Sequence, residues 1–286
     1  MTSLSPAPFS GSLAERLAAP AGEGVRLYWL GQAGFVIEAG GRRIVIDPYL
    51  SDSLAEKYRG KRYEHERMMP APATPAELGP VDLVLVTHQH TDHMDPQTLM
   101  PLAAANPDCR FVVPRAALAA AEERIGVGPD RLITVDAGET VTPLAGISIT
   151  AIRAAHEVLE RSPEGWHRFL GYVVAVDGIS FYHSGDTIPF EGLAEEVARH
   201  GVDLALLPVN GRRAELTGAG IAGNLTLDEA CFLADQVGAA DLIAHHYGLF
   251  AFNTEDPAVI DAKSAAADCR ARLHRAKLSV EYRLSK

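Results

Sequence analysis

The chain has 286 residues, 47% of them hydrophobic and 22% charged, which is enough apolar material for a large buried core and argues against global disorder. Acidic residues outnumber basic ones by 37 to 26, for a formal charge of −11; this repels a phosphate backbone and speaks against nucleic acid as a partner. Cys109, Cys231 and Cys269 lie far apart and are odd in number, so they read as reduced thiols of a cytoplasmic protein, not as a disulfide framework.

Residues 1–20 have no basic segment followed by a long apolar run, and nowhere does the chain reach the roughly 18 apolar residues of a membrane helix. The expectation is one domain over 1–286, with a loosely ordered lead-in over 1–20 and no membrane span. Segments 25–30, 34–38 and 43–47 are rich in β-branched and aromatic residues and separated by turns such as Ala39-Gly-Gly41, which predicts a β-meander. Residues 48–80 hold charges and five prolines and read as an irregular excursion with a short helix near 51–58, of the kind that borders an active site.

The apolar run 81–87 predicts a strand buried on both faces. Helical spacing follows over 96–105 and 115–125, strands over 110–113 and 132–135, and two strands within 141–152 that meet at Pro143–Gly146. Asp177-Gly178 marks a hairpin between strands at 169–176 and 179–182. A helix near 192–200 and a strand at 202–209 come next. Thr226 and Glu229 then form a capping box whose helix places Leu227, Ala230, Cys231, Ala234 and Val237 on one apolar face, which makes Cys231 a core residue. Two β-rich halves joined to helices predict a sandwich of sheets with helices outside it.

The chemistry concentrates in Thr87-His88-Gln89-His90-Thr91-Asp92-His93, just beyond a buried strand. If the strand persists to about His88, alternation turns His88 and His90 to one side, while the following turn brings Asp92 and His93 to a second position. Imidazole with carboxylate suits zinc, manganese or iron, and a structural zinc site would more often be closed by cysteine. Further candidates stand at later strand ends: His156 after 147–152, Asp186 in His183-Ser-Gly-Asp-Thr187, and the pair His245-His246 after Leu242-Ile-Ala244.

These motifs, with Trp29-Leu-Gly-Gln-Ala-Gly-Phe35, Ile46-Asp-Pro-Tyr-Leu50, Pro208-Val-Asn-Gly-Arg212, Gly223-Asn-Leu-Thr226 and His246-Tyr-Gly-Leu-Phe250, resemble the metallo-β-lactamase superfamily over roughly residues 25–265. Within it they look like the branch of the L-ascorbate-6-phosphate lactonases. The resemblance implies an α/β fold of αββα type, four layers with two mixed sheets inside and helices outside. It implies two divalent ions: His88, His90 and His156 on the first, Asp92, His93 and His246 on the second, and Asp186 between them. His183 then falls outside the ligand set, and Ala244-His245 departs from the family's usual proline at that turn.

Asp92 and Asp186 are the candidate catalytic carboxylates. A hydroxide shared by the two ions would make the chain a hydrolase with no serine or cysteine nucleophile. Asn210, Arg212 and Asn224 are the candidate substrate-binding residues, Lys61, Arg62 and Arg67 could add to an anion pocket, and Asp47 would orient a ligand or a turn. The leading expectation is a lactonase for an anionic sugar-acid lactone. Alternatives are a phospholipase D-like phosphodiesterase and a noncatalytic scaffold. A glyoxalase-type thioesterase, a secreted β-lactamase and a nucleic-acid-processing enzyme fit less well. A small anionic substrate is the expected partner, and exposed sheet edges allow a homo-oligomer.

Overall fold

The structure, a computed structural model, describes residues 2–286. In chain order the elements are β1 (Ser3–Pro8), α1 (Leu13–Leu17), β2 (Val25–Gly31), β3 (Gly34–Ala39), β4 (Arg42–Ile46), α2 (Ser53–Lys57), β5 (Leu83–Leu85), α3 (Pro96–Ala105), β6 (Arg110–Pro114), α4 (Leu118–Ile125), β7 (Leu132–Val135) and β8 (Thr140–Leu144). There follow β9 (Ile147–Arg153), β10 (Leu170–Val176), β11 (Ile179–His183), α5 (Leu193–Ala198), β12 (Leu204–Pro208), α6 (Ala214–Thr217), α7 (Leu227–Val237), β13 (Asp241–His245), α8 (Pro257–Ala266), β14 (Arg272–Arg275) and β15 (Val280–Ser285). Among the described residues no helix is long and apolar enough to cross a membrane.

The strands form two mixed sheets, ordered β1-β15-β2-β3-β4-β5-β6-β7 and β14-β13-β12-β11-β10-β9-β8. In the first, pairing is antiparallel from β1 to β4 and parallel from β4 to β7. In the second, it is parallel from β14 to β11 and antiparallel from there to β8. Side-chain alternation sets the layers. Phe35, Ile37, Ile44, Ile46, Leu83 and Leu85 join the core shared with Tyr172, Val174, Phe181 and Leu206 of the second sheet. Val36, Val45 and Val84, one position out of step, face a separate core with Leu17, Leu99, Leu102 and Ala121 of α1, α3 and α4. On the far side, α5 and α7 pack Val197, Ala230, Cys231 and Ala234 against the second sheet. The result is helix, sheet, sheet, helix.

The turn at Asp177-Gly178 has both residues at positive φ, 51° and 74°, the two-residue hairpin its sequence predicts. Other expectations are corrected. The described part of the lead-in is ordered: β1 pairs with β15 from Ser3 to Pro8, and Ser12 caps α1. Buried Arg43 ties this segment down by donating to Ala19 O and Leu78 O while pairing with Glu38. Pro6 and Pro8 hide the strand in the sequence, yet a residue without an N–H is tolerated on an edge, where one side has no ladder to complete. Strand β5 stops at Leu85 rather than reaching His88. Cys231 and Cys269 are joined in a disulfide, leaving Cys109 as the free buried thiol; Cys231 keeps its predicted place on the core face of α7.

Candidate metal centre

Strands β5, β9, β11 and β13 end along one rim of the sandwich, and the loops beyond them carry the site: residues 86–95 after β5, 154–169 after β9, 184–187 after β11 and 246–254 after β13. Because β5 ends early, His88 and His90 meet through a turn and not by strand alternation; His88 Nε2 lies 3.1 Å from His90 Nδ1. Close approach of these loops needs Gly185, at φ 60°, where a Cβ would sit 2.5 Å from Leu170 O and 2.9 Å from Thr87 Cβ. Only glycine fits there. Asp47 (φ 42°), Gln32 (φ 49°) and His246 (φ 60°) also hold left-handed backbone around the site, a conformation unfavourable for side-chain-bearing residues and found where surrounding contacts enforce it. His246 N–H donates to Gln32 O at 2.9 Å.

All seven sequence-predicted ligand candidates come together. Three groups have candidate donor atoms within 4.8 Å of one another: His88, His90 and His156; His88, His93 and Asp186; and Asp92, His93 and His246. The first and third share no residue. Asp186 Oδ2 lies between them, 3.7 Å from His156 Nε2, 3.4 Å from His93 Nε2 and 3.3 Å from His246 Nε2. At the strand end it is His246 that joins the cluster. His245 turns away to stack on His183 at 5.0 Å, and His183 Nε2 donates to Ala33 O while its Nδ1 accepts from Gly185 N–H.

Supporting contacts orient the rings. Asp47 accepts from Thr87 N–H at 2.8 Å and Thr87 Oγ1 at 2.6 Å, and its Oδ2 lies 2.8 Å from His93 Nδ1. His156 Nδ1 faces Gly223 O at 3.1 Å, and Gln32 Nε2 donates to Asp92 Oδ2 at 2.9 Å. Each ring so held presents Nε2 inward. Burial, reinforced by neighbouring imidazoles, pushes His88 well below the ordinary histidine value and His90 down to about 4; burial also lowers His156. Burial opposes charge on His93 too, but Asp186, Asp47 and Asp92 outweigh it and hold this ring well above the ordinary value. Burial resists ionisation of Asp186, yet His246 and His93 keep it well below the usual carboxylate range.

The donor set passes a direct test of fit to a cation. His93 Nε2, His246 Nε2 and Asp186 Oδ1 are buried without a hydrogen-bond partner, a costly arrangement that a divalent ion between them would relieve. Neutral imidazoles with carboxylates are ligands of the type zinc, manganese and iron take.

A cavity of about 240 Å³ opens onto these residues, lined also by Lys57, Tyr58, His65, Arg124, Phe250 and Asn253. Among these lie residues that sequence reasoning missed. Gln32 had a signal, its place in the motif at 29–35, whereas Lys57, His65 and Arg124 had none beyond membership of a long excursion or a helix end. The predicted substrate residues are elsewhere. Arg212 is committed to Glu229 at 2.5 and 2.6 Å. Asn210 and Asn224 are buried and bonded to each other, with Asn210 also donating to Asn253 Oδ1. Arg67 donates from Nε to Met69 O and from Nη1 to Tyr49 O and Ser51 O, and neither it nor Lys61 nor Arg62 lines the cavity.

A family model described as the beta-lactamase superfamily domain matches residues 42–247. A metal-dependent hydrolase of the UPF0173 family from Polynucleobacter asymbioticus is 31% identical over 206 residues, 65% of this chain and 64% of that protein. Another, from Methanoculleus marisnigri, is 30% identical over 79% of this chain and 82% of its own length. Among solved structures, a metallo hydrolase from the archaeon Ignicoccus hospitalis superposes with a TM-score of 0.64 at 20% identity, covering 92% of this chain and 98% of the other. Fold, donor set and sequence relatives agree that the chain belongs to the metallo-β-lactamase superfamily, as a metal-dependent hydrolase of the UPF0173 family.

Proposed function

We propose that the chain hydrolyses a small anionic carboxylic ester or lactone at a centre of two divalent ions, manganese or zinc. The observation that carries this reading is the pair of separate triads with Asp186 between them. Ions held there would acidify a water and polarise the bond under attack. Asp92 and Asp186 would supply the negative charge that holds the ions. Lys57 and Arg124 set positive charge on the cavity wall, and a space of about 240 Å³ suits a small substrate.

Within that class the motif resemblance favours a phosphorylated sugar-acid lactone of the L-ascorbate-6-phosphate type. A phosphodiester is the second reading, supported by the same two cationic side chains. A noncatalytic scaffold fits less well, because all seven ligand positions are filled by ligating residue types. Elemental analysis of protein purified without chelator, followed by assay on a lactone panel and on bis(p-nitrophenyl) phosphate, tests the reading. About two metals per chain with metal-dependent lactone opening is expected. Turnover of the phosphodiester alone would favour the second reading, and no metal with no turnover after reconstitution would refute both.

A further inference from the structure

His65 sits in the segment between α2 and β5, lines the metal cavity and belongs to none of the cation-holding groups. Its ring stacks on Tyr58 at 4.2 Å and meets the edges of Phe250 and Phe252 at 5.0 and 4.7 Å, so packing on several sides fixes its position. Nδ1 lies 2.9 Å from Tyr63 O. A carbonyl only accepts, so in the neutral ring Nδ1 carries the hydrogen and Nε2 carries the lone pair.

The titratable groups around it are Lys57 and Tyr58 at the end of α2, Tyr63 in its own segment, and Asp92 in the histidine-rich loop. Phe250, Phe252 and Asn253, from the loop after β13, bring no charge. Burial lowers the proton affinity of the ring, against the opposing pull of Tyr63 O and Asp92. At neutral pH His65 is therefore an uncharged base of fixed tautomer on the wall of the cavity that holds the candidate ligands.

We propose that His65 is a catalytic proton carrier of the hydrolysis. Its Nε2 takes a proton from the attacking water as the water oxygen bonds to the carbonyl carbon. The same proton passes to the leaving oxygen as the carbon–oxygen bond breaks, so the alcohol departs neutral and His65 returns to its starting form. This inference rests on the hydrolytic reading above and adds the group that handles the proton.

The test uses His65→Gln and His65→Phe in the metal-loaded protein, the second keeping an aromatic ring in the stack, with two anionic esters that share an acyl group: monoethyl adipate and mono(p-nitrophenyl) adipate. An alkoxide leaves poorly without a proton and a nitrophenolate leaves well. Both variants should lose about 100-fold in kcat on the ethyl ester and only a few-fold on the nitrophenyl ester, with metal content unchanged. Equal losses on both esters, or no loss, would overturn the role of His65 and leave the hydrolytic reading standing. A wild type inactive on both esters but loaded with metal would count against ester hydrolysis itself. In that case, and for variants that fail to fold, 15N NMR of the wild-type histidines decides independently: an Nδ1–H tautomer at His65 is expected, and an Nε2–H tautomer would overturn the proposal.

Discussion

One carboxylate, that of Asp47, links the end of β4 to the histidine-rich loop by accepting from Thr87 and facing His93 Nδ1. Asp47→Asn preserves volume but exchanges a lone pair for an N–H where His93 must donate. Metal affinity should fall by roughly 10–100-fold with the fold intact; equal affinities in competition with a chromophoric chelator would contradict that role. Since His93 is held well above the ordinary histidine value, metal loading at neutral pH must displace its proton. Calorimetry in two buffers of different ionisation enthalpy should therefore report proton release, and affinity should weaken as pH falls; identical heats in both buffers would rule the proton out. The candidate ligands were legible because metal chemistry admits few residue types and the topology puts them at strand ends. Arg212 was not, because its direction depends on Glu229, a capping-box residue whose second bond, to this arginine, leaves no mark in local sequence.

Among the elements, α1, β2 and β15 are joined through Glu281, which accepts from Arg16, from Tyr28 Oη at 2.7 Å and from Arg283. Burial alone would raise this carboxyl, but the three donors outweigh it and hold it down to about 2. Its folded value lies below its unfolded one, so its stabilising contribution is present above about pH 4.5 and lost as pH falls towards 2. Glu281→Gln should remove that segment of the acid-unfolding curve and lower stability at pH 7 by about 2 kcal/mol; acid titrations of both proteins that run parallel would disprove it. The Cys231–Cys269 bond spans a separation of 38 residues, for which chain-entropy arguments give about 3–4 kcal/mol at most. Thiol titration of the denatured, unreduced chain should find one thiol, and three after reduction. The helix of Cys231 could be read from its periodicity, whereas its partner lies beyond a strand and another helix, where spacing says nothing about proximity.

Taken as a whole, the molecule divides the centre between its two sheets: loops of the first carry His88, His90, Asp92 and His93, and loops of the second carry His156, Asp186 and His246. Metal held there would thus act as a clasp across the sandwich. With metal at about 100 times its dissociation constant the gain is about 2.7 kcal/mol, so chelation should lower Tm by roughly 4–5 °C; a Tm insensitive to chelator would show that the sheets hold together without it. The layered plan was readable from alternating strands and amphipathic helices, but the order of strands within each sheet was not, since pairing partners come from distant parts of the chain.

That order has a consequence in time. Strand β15 lies between β1 and β2, pairing with both. As a ribosome extends the chain, β1 has nothing to pair with until residues 280–285 emerge, so a strand made before all the others described is among the last to be placed. That strand must wait, unpaired and within reach of other chains, while all the elements between it and β15 are made.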